Sequence, residues 1–266
     1  MKKNVGVLCA LAGLLCVGVR PAQAMDVGDP VFKGDVEGAV RAEVVFENFD
    51  RDLTYDYGDI KITAGGITDV IPAGEDPTES PDEDLYVVRV SLLNWDQATL
   101  YANAGLVDED DADGAVYLVG LGGKALLYEL DDARFTGFAQ VNYVPAFDVS
   151  QSESDPDLGP GRSSGEAEYY ELAAGVLASA EFELTKEASV IPYAGVSLSM
   201  VQGSLDIKSE FPAAGVTMEA SADLEQDEWF DAIVGATVMC QRKYLLRLES
   251  RLIGETSYSV ALGTTF

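Results

Sequence analysis

No histidine occurs anywhere in the chain. That removes the usual general base and the commonest metal ligand at neutral pH. A serine or water nucleophile is left without its ordinary partner, and no Ser–Lys pair stands out to replace it. Basic residues are scarce as well, 17 Lys and Arg against 46 Asp and Glu, for a net charge of −29. So acidic a chain is a poor partner for nucleic acid or for an anionic lipid surface. Of the three cysteines, Cys9 and Cys16 lie in the opening apolar stretch, so Cys240 has no partner for an internal disulfide. After Ala24 no apolar run is long enough for a membrane helix. If the chain crosses a membrane, it must cross as closed β-sheet.

The opening stretch is an export signal by pattern. Lys2 and Lys3 precede an apolar core from Val5 to Val19, and Ala22-Gln23-Ala24 is a small-x-small cleavage site. Residues 1–24 are therefore expected to be a signal peptide, with the mature chain starting near Met25. Cys16 follows Leu15 rather than a small residue, so lipoprotein processing is not expected.

Alternation dominates the mature chain. Over residues 34–48, Val36, Val40, Ala42, Val44 and Phe46 point one way and Glu37, Arg41, Glu43 and Glu47 the other. Similar segments cover residues 85–93, 97–106, 115–130, 134–144, 166–183, 190–202, 229–240, 244–253 and 256–266. Period-two alternation of this kind is a strand with different surroundings on its two faces. The segments make ten strands. Connections near Trp95, Asp132, Glu187 and Arg242 are short, while residues 48–84, 108–113, 145–165 and 203–228 are long, acidic and read as loops. Within the first of these, residues 53–64 extend the neighbouring strands or form a hairpin.

Aromatic residues on the apolar faces fall into two bands. Phe46, Tyr86, Tyr117, Tyr143, Tyr170, Phe230 and Tyr258 lie near the long connections; Phe135, Phe182, Tyr244 and Phe266 lie near the short ones, with Trp95 in a turn. Between them the outward residues are Val, Leu, Ala and Ile. Two girdles around an apolar band, with short turns on one side and long loops on the other, are the signature of a lipid-facing barrel.

This pattern resembles the small bacterial outer-membrane β-barrel proteins across nearly the whole mature chain. The expected fold is all-β: a closed antiparallel up-and-down transmembrane barrel of about ten strands (eight or twelve being the alternatives), one domain over residues 25–266 with long acidic extracellular loops. The resemblance implies the bacterial outer membrane as location, with its lipid and lipopolysaccharide as surroundings. It also implies that Tyr258, Val260, Leu262 and Phe266, alternating along the last strand, form the signal read by the barrel-assembly machinery. Enzymatic barrels of this kind, among them lipid A deacylases, palmitoyltransferases, phospholipases and proteases, rely on a catalytic histidine. Its absence here points to a non-enzyme, with no cofactor expected.

Inward parity gathers Glu37, Arg41, Glu43, Glu47, Arg89, Arg247, Glu249 and Arg251 on strands flanking the last one. Charges of mixed sign in a narrow interior should pair. Opposite them the inward residues are small: Gly175, Ser179, Gly195, Ser197, Gly235, Ala261 and Gly263. The expectation is a charged cluster on one wall, a thin watery gap facing it, and low, cation-preferring conductance. Glu109, Asp111 and Asp113 give the first half of a calcium loop. However, the first ligand is Glu and the closing position is Gly120, so only loose divalent-cation binding is expected. Three roles fit: a structural barrel or narrow channel, a surface-interaction protein binding through acidic loops as adhesins do, and a soluble lipocalin-like carrier.

Overall fold

The computed structural model describes residues 39–266 except 52, 73–81, 96, 109–114, 156–157, 227–228 and 254, together with Asp26, Gly28, Pro30 and Val31 upstream. The described strands, in chain order, begin with β1 (Arg41–Arg51), β2 (Leu53–Tyr57), β3 (Ile60–Ala64), β4 (Ile67–Ile71) and β5 (Asp82–Trp95). Next come β6 (Ala98–Asp108), β7 (Val116–Leu130), β8 (Ala133–Asp155), β9 (Gly159–Ala180) and β10 (Phe182–Thr185). The series ends with β11 (Ala188–Phe211), β12 (Val216–Gln226), β13 (Phe230–Cys240), β14 (Tyr244–Ile253) and β15 (Glu255–Thr265).

Ten of them close a ring in the order β1-β5-β6-β7-β8-β9-β11-β13-β14-β15, each antiparallel to its neighbours. The seam is made by β15 pairing with β1 from Arg41 opposite Thr265 to Arg51 opposite Glu255. Closure pairs each of these ten strands on both sides, so the wall has no open edge and its ladders need no water to bond their backbone. Ten strands is the number that the alternating segments predict.

The outer face carries the belt. Val44, Leu121, Leu198 and Leu262 stand 58–62% exposed, a waste of apolar surface in water and the natural condition in lipid. This belt also disposes of the soluble-carrier alternative. Phe46, Tyr86, Tyr117, Tyr143, Tyr170, Phe230 and Tyr258 project outward at the end opposite the short turns. Trp95, Phe182, Tyr244 and Phe266 project at the short-turn end, and Phe135 packs there against Tyr128.

Where composition predicts long acidic loops, at residues 145–165 and 203–228, the structure has mostly strand. β8 and β9 continue as a hairpin past Tyr143 and Tyr170, with Val149 opposite Gly165 and Ser152 opposite Arg162. β11 likewise runs on, pairing with β13 up to Leu198 and then with β12 from Gln202 to Phe211. β12 and β13 thus make one descending run, interrupted near Trp229. The other edge of β12 would be bare, because the connection between β14 and β15 is short. β2 and β3 cover it, and β4 pairs onto β3. Residues 53–64, expected to extend the neighbouring strands or to form a hairpin, form β2 and β3, which pair to β12 and not to each other; the hairpin here is β3 with β4.

The reason composition misleads is visible on β9. Below Tyr170 the outward residues are Leu172, Ala174, Val176 and Ala178; above it they are Glu168, Glu166, Ser164 and Arg162. Outside, the strand passes from lipid to water, so polar residues now mark the outer face of a strand rather than a loop. Inside, the order reverses. Val45, Phe49, Leu85, Val87, Val107, Leu118, Tyr169, Val201, Leu205, Ile207 and Leu224 join one buried apolar core that spans the upper barrel and the extension. The end remote from the short turns is packed like a soluble domain.

Candidate functional site

Below that dry core the interior mixes small apolar clusters with buried charges, and the charges converge on one residue that strand parity does not foresee. Asp26 lies upstream of the barrel and is wholly buried in the lumen. Arg247 of β14 grips its carboxylate from the side, Nε donating to Oδ2 at 3.1 Å and Nη2 to Oδ1 at 2.7 Å. Arg89 of β5 donates from Nη1 to Oδ1 at 3.2 Å and from Nη2 to the Asp26 carbonyl. Ser259 of β15 donates to Oδ2 at 2.6 Å. The Gly28 amide donates to Oδ1 at 2.6 Å, and the amide of Asp26 itself donates to Glu47 of β1 at 2.7 Å. Each carboxylate oxygen therefore has at least two charged or polar donors, the condition under which a buried charge is tolerated.

The same arginines tie the wall together. Arg247 donates from Nη1 to Glu43 at 2.8 Å, pairing strands on either side of β15 as inward parity predicts. Arg89 Nε donates to Asn103 at 3.0 Å, Asn103 to Asn142 at 3.4 Å, and Asn142 to Glu171 at 3.1 Å. That chain of bonds crosses β5, β6, β8 and β9. It skips β7, whose residue in this row is Gly120, paired with Asn103 on one side and Asn142 on the other. A Cβ there would lie 2.1 Å from the Asn142 Oδ1, so only glycine leaves the lane open. One row along, Tyr101 reaches over Gly122 to donate to Gln140 at 3.0 Å, while the Arg89 guanidinium stacks 4.7 Å from its ring centre. Across the barrel Tyr193 reaches over Gly235 to donate to Glu249 at 2.8 Å.

These rings and amides correct the expectation of a thin gap facing the charged wall. The inward glycines do not leave water-filled space: they are the floor over which neighbouring strands join hands. Phe138 likewise packs over Gly175. Tyr101, Asn103, Gln140, Asn142, Glu171 and Tyr193 all follow from parity, because the registers that turn Ala102, Ala104, Val141, Leu172 and Ala194 outward turn them in. Asp26 carries no such signal, since its segment has no period.

The other residues singled out by the sequence take varied places. Arg251 and Glu249 are buried together, Nε to Oε1 at 3.7 Å. Arg41 is buried nearer the short-turn end, with its Nε donating to Thr265 at 3.4 Å. Glu37 lies outside the described residues, as do Glu109, Asp111 and Asp113. Among the described residues no three acidic or cysteine side chains are grouped to hold a metal ion. Tyr258, Val260, Leu262 and Phe266 line the outer surface at the seam, and the Phe266 amide donates to the Val40 carbonyl at 2.9 Å.

No family model and no curated protein matches the chain. Solved structures of similar fold include the translocator domain of the autotransporter NalP from Neisseria meningitidis, with 10% identity over 88% of this chain and 91% of that one (TM-score 0.44). The outer membrane protease OmpT from Escherichia coli is 9% identical over 86% of this chain and 97% of its own, with a TM-score of 0.47. The attachment invasion locus protein Ail of Yersinia pestis is 10% identical over 86% and 99% respectively, with a TM-score of 0.25. By its own edge-free ring, apolar belt and paired aromatic girdles, the chain is a β-barrel protein of the bacterial outer membrane.

Proposed function

We propose that this is a non-enzymatic barrel, closed at rest, that serves the outer membrane structurally and passes at most a narrow, cation-preferring current. One observation carries this reading: two closures lie in series along the lumen, the dry core above and the Asp26-centred lock below. Removal of a signal peptide after Ala24 would make Asp26 the second residue of the exported chain, free to enter the lumen. The acidic faces beyond the membrane would favour cations in whatever current passes. Planar-bilayer recording of the purified protein tests the reading. Long silent periods with rare, small, cation-selective events are expected; large or anion-selective steps from the unmodified protein would refute it.

A second reading, surface interaction, draws support from the strand extension. Its outer face presents Glu166, Glu168, Asp206, Glu219 and Asp223 on paired strands, a firm platform rather than loose loops. Lipopolysaccharide bordering this face is the natural neighbour, with loosely held divalent cations as bridges.

Assembly is proposed to depend on Phe266. The residue closes the seam beside β1 and is 77% exposed in the short-turn girdle. Phe266→Asp places a charge where lipid meets the seam, so the yield of heat-modifiable, protease-resistant barrel should fall several-fold. An unchanged yield would remove Phe266 from the assembly determinants.

A further inference from the structure

The Asp26 carboxylate is held by groups that belong to the wall, and those groups would hold any carboxylate of that size. Arg247 from β14, Arg89 from β5 and Ser259 from β15 converge on its two oxygens with contacts of 2.6–3.2 Å, from three strands fixed in one sheet. The two arginine side chains and the serine are all buried. The side-on fork of Arg247 is the geometry in which guanidinium recognises carboxylate rather than a point anion such as chloride. Away from the carboxylate, the described upstream residues are buried and bonded to the wall as well. The Asp26 amide bonds Glu47, its carbonyl accepts from Arg89, the Val31 amide donates to Thr136 at 3.3 Å, and Arg134 donates to the Val31 carbonyl at 3.3 Å.

We infer that the lumen contains a carboxylate-binding site whose resident ligand is the chain's own Asp26, and that small carboxylates entering from the short-turn end compete for it. Entry from the other end is barred by the dry core. Thr136 and Arg134, which hold Val31, lie at the start of β8 next to the Asp131–Asp132 turn, so the upstream segment leads toward the short-turn end. Covalent linkage to β1 gives Asp26 an effective concentration of about millimolar or more, so a free carboxylate meets a strong internal competitor. Removing the competitor should expose the site. The inference rests on the reading of the barrel as closed at rest, but its test does not use current.

Asp26→Ala protein, folded in detergent and verified as barrel by heat-modifiable migration, is titrated with sodium acetate and, at matched ionic strength, with sodium chloride. Acetate should raise its melting temperature by roughly 5 °C at tens of millimolar, and chloride by much less. The unmodified protein should shift by no more than about 1 °C, because its site is filled. Equal responses of Asp26→Ala to the two anions, or no response to either, would overturn the inference. If Asp26→Ala gives no barrel, the same titration of Asp26→Ser, whose short neutral side chain also leaves the carboxylate position open, decides between the same outcomes. Large open steps from the unmodified protein would refute closure at rest while leaving the acetate response readable.

Discussion

Arg247→Met should destabilise the folded barrel by about 3–5 kcal/mol, the cost of breaking a buried ion pair from one side. In a chain of this size that corresponds to a drop of roughly 10 °C in melting temperature. The reason is geometric. Arg247 bonds both Asp26 and Glu43, and it supplies two of the donors on the Asp26 carboxylate. Methionine keeps much of the volume and removes the charge, so the loss is electrostatic rather than a cavity. Glu43 loses its 2.8 Å contact, and Asp26 retains Arg89, Ser259 and the Gly28 amide. The companion variant Asp26→Asn should restore part of the loss, because one of the stranded carboxylates is then gone. A double-mutant cycle therefore ought to show coupling of at least about 1 kcal/mol between the positions. Additive effects would mean that the pair is not the centre of the lumen, and an unchanged melting temperature for Arg247→Met would mean that its charge contributes nothing.

The membrane part of this architecture is legible in the sequence because two solvents write a period of two. Outward Val44, Val88, Leu100 and Leu262 face lipid while inward Glu43, Arg89, Thr99 and Gly263 do not, and short turns separate the runs. Above the membrane the outer solvent becomes water and the inner one becomes a dry core, so the period persists but its sense reverses. Glu166, Glu168, Asp206 and Glu210 then look like loop residues when they are the wet face of β9 and β11. Their alternation partners Ala167, Tyr169, Leu205 and Ile207 are what mark these stretches as strands. The site divides in the same way. Glu43, Arg89, Arg247, Glu249 and Arg251 come from parity alone. Gly235 is legible as small and inward, but not as the floor beneath Tyr193, because a bridge over a glycine depends on the register of three strands. Asp26 is invisible, since neither period nor spacing attaches an aperiodic segment to a lumen.

If the two interiors are separate, a change in the dry core should spare the membrane ring. Leu205 lies above the outward girdle on β11, opposite Ala167 of β9 and Ala222 of β12, and is almost fully buried. Leu205→Asp puts an unpaired carboxylate among apolar side chains, where a charge costs several kcal/mol or forces the packing apart. Water can reach it only if β12 swings away from β11, carrying β2 and β3 with it through their pairing to β12. The belt and the Asp26 lock lie below and share none of the Leu205 pairings. Limited proteolysis should therefore cut the variant within residues 203–226 at least ten times faster than the parent, since cleavage tracks the population of the open form and roughly 1.4 kcal/mol changes that population tenfold. Heat-modifiable migration of the membrane ring should persist in the same samples. Loss of both together would show that the extension and the ring fold as a single cooperative unit, and that the dry core is needed to hold the lock. Retention of parental protease resistance would show that the extension tolerates a buried charge, against the packing described for Val201, Leu205 and Ile207.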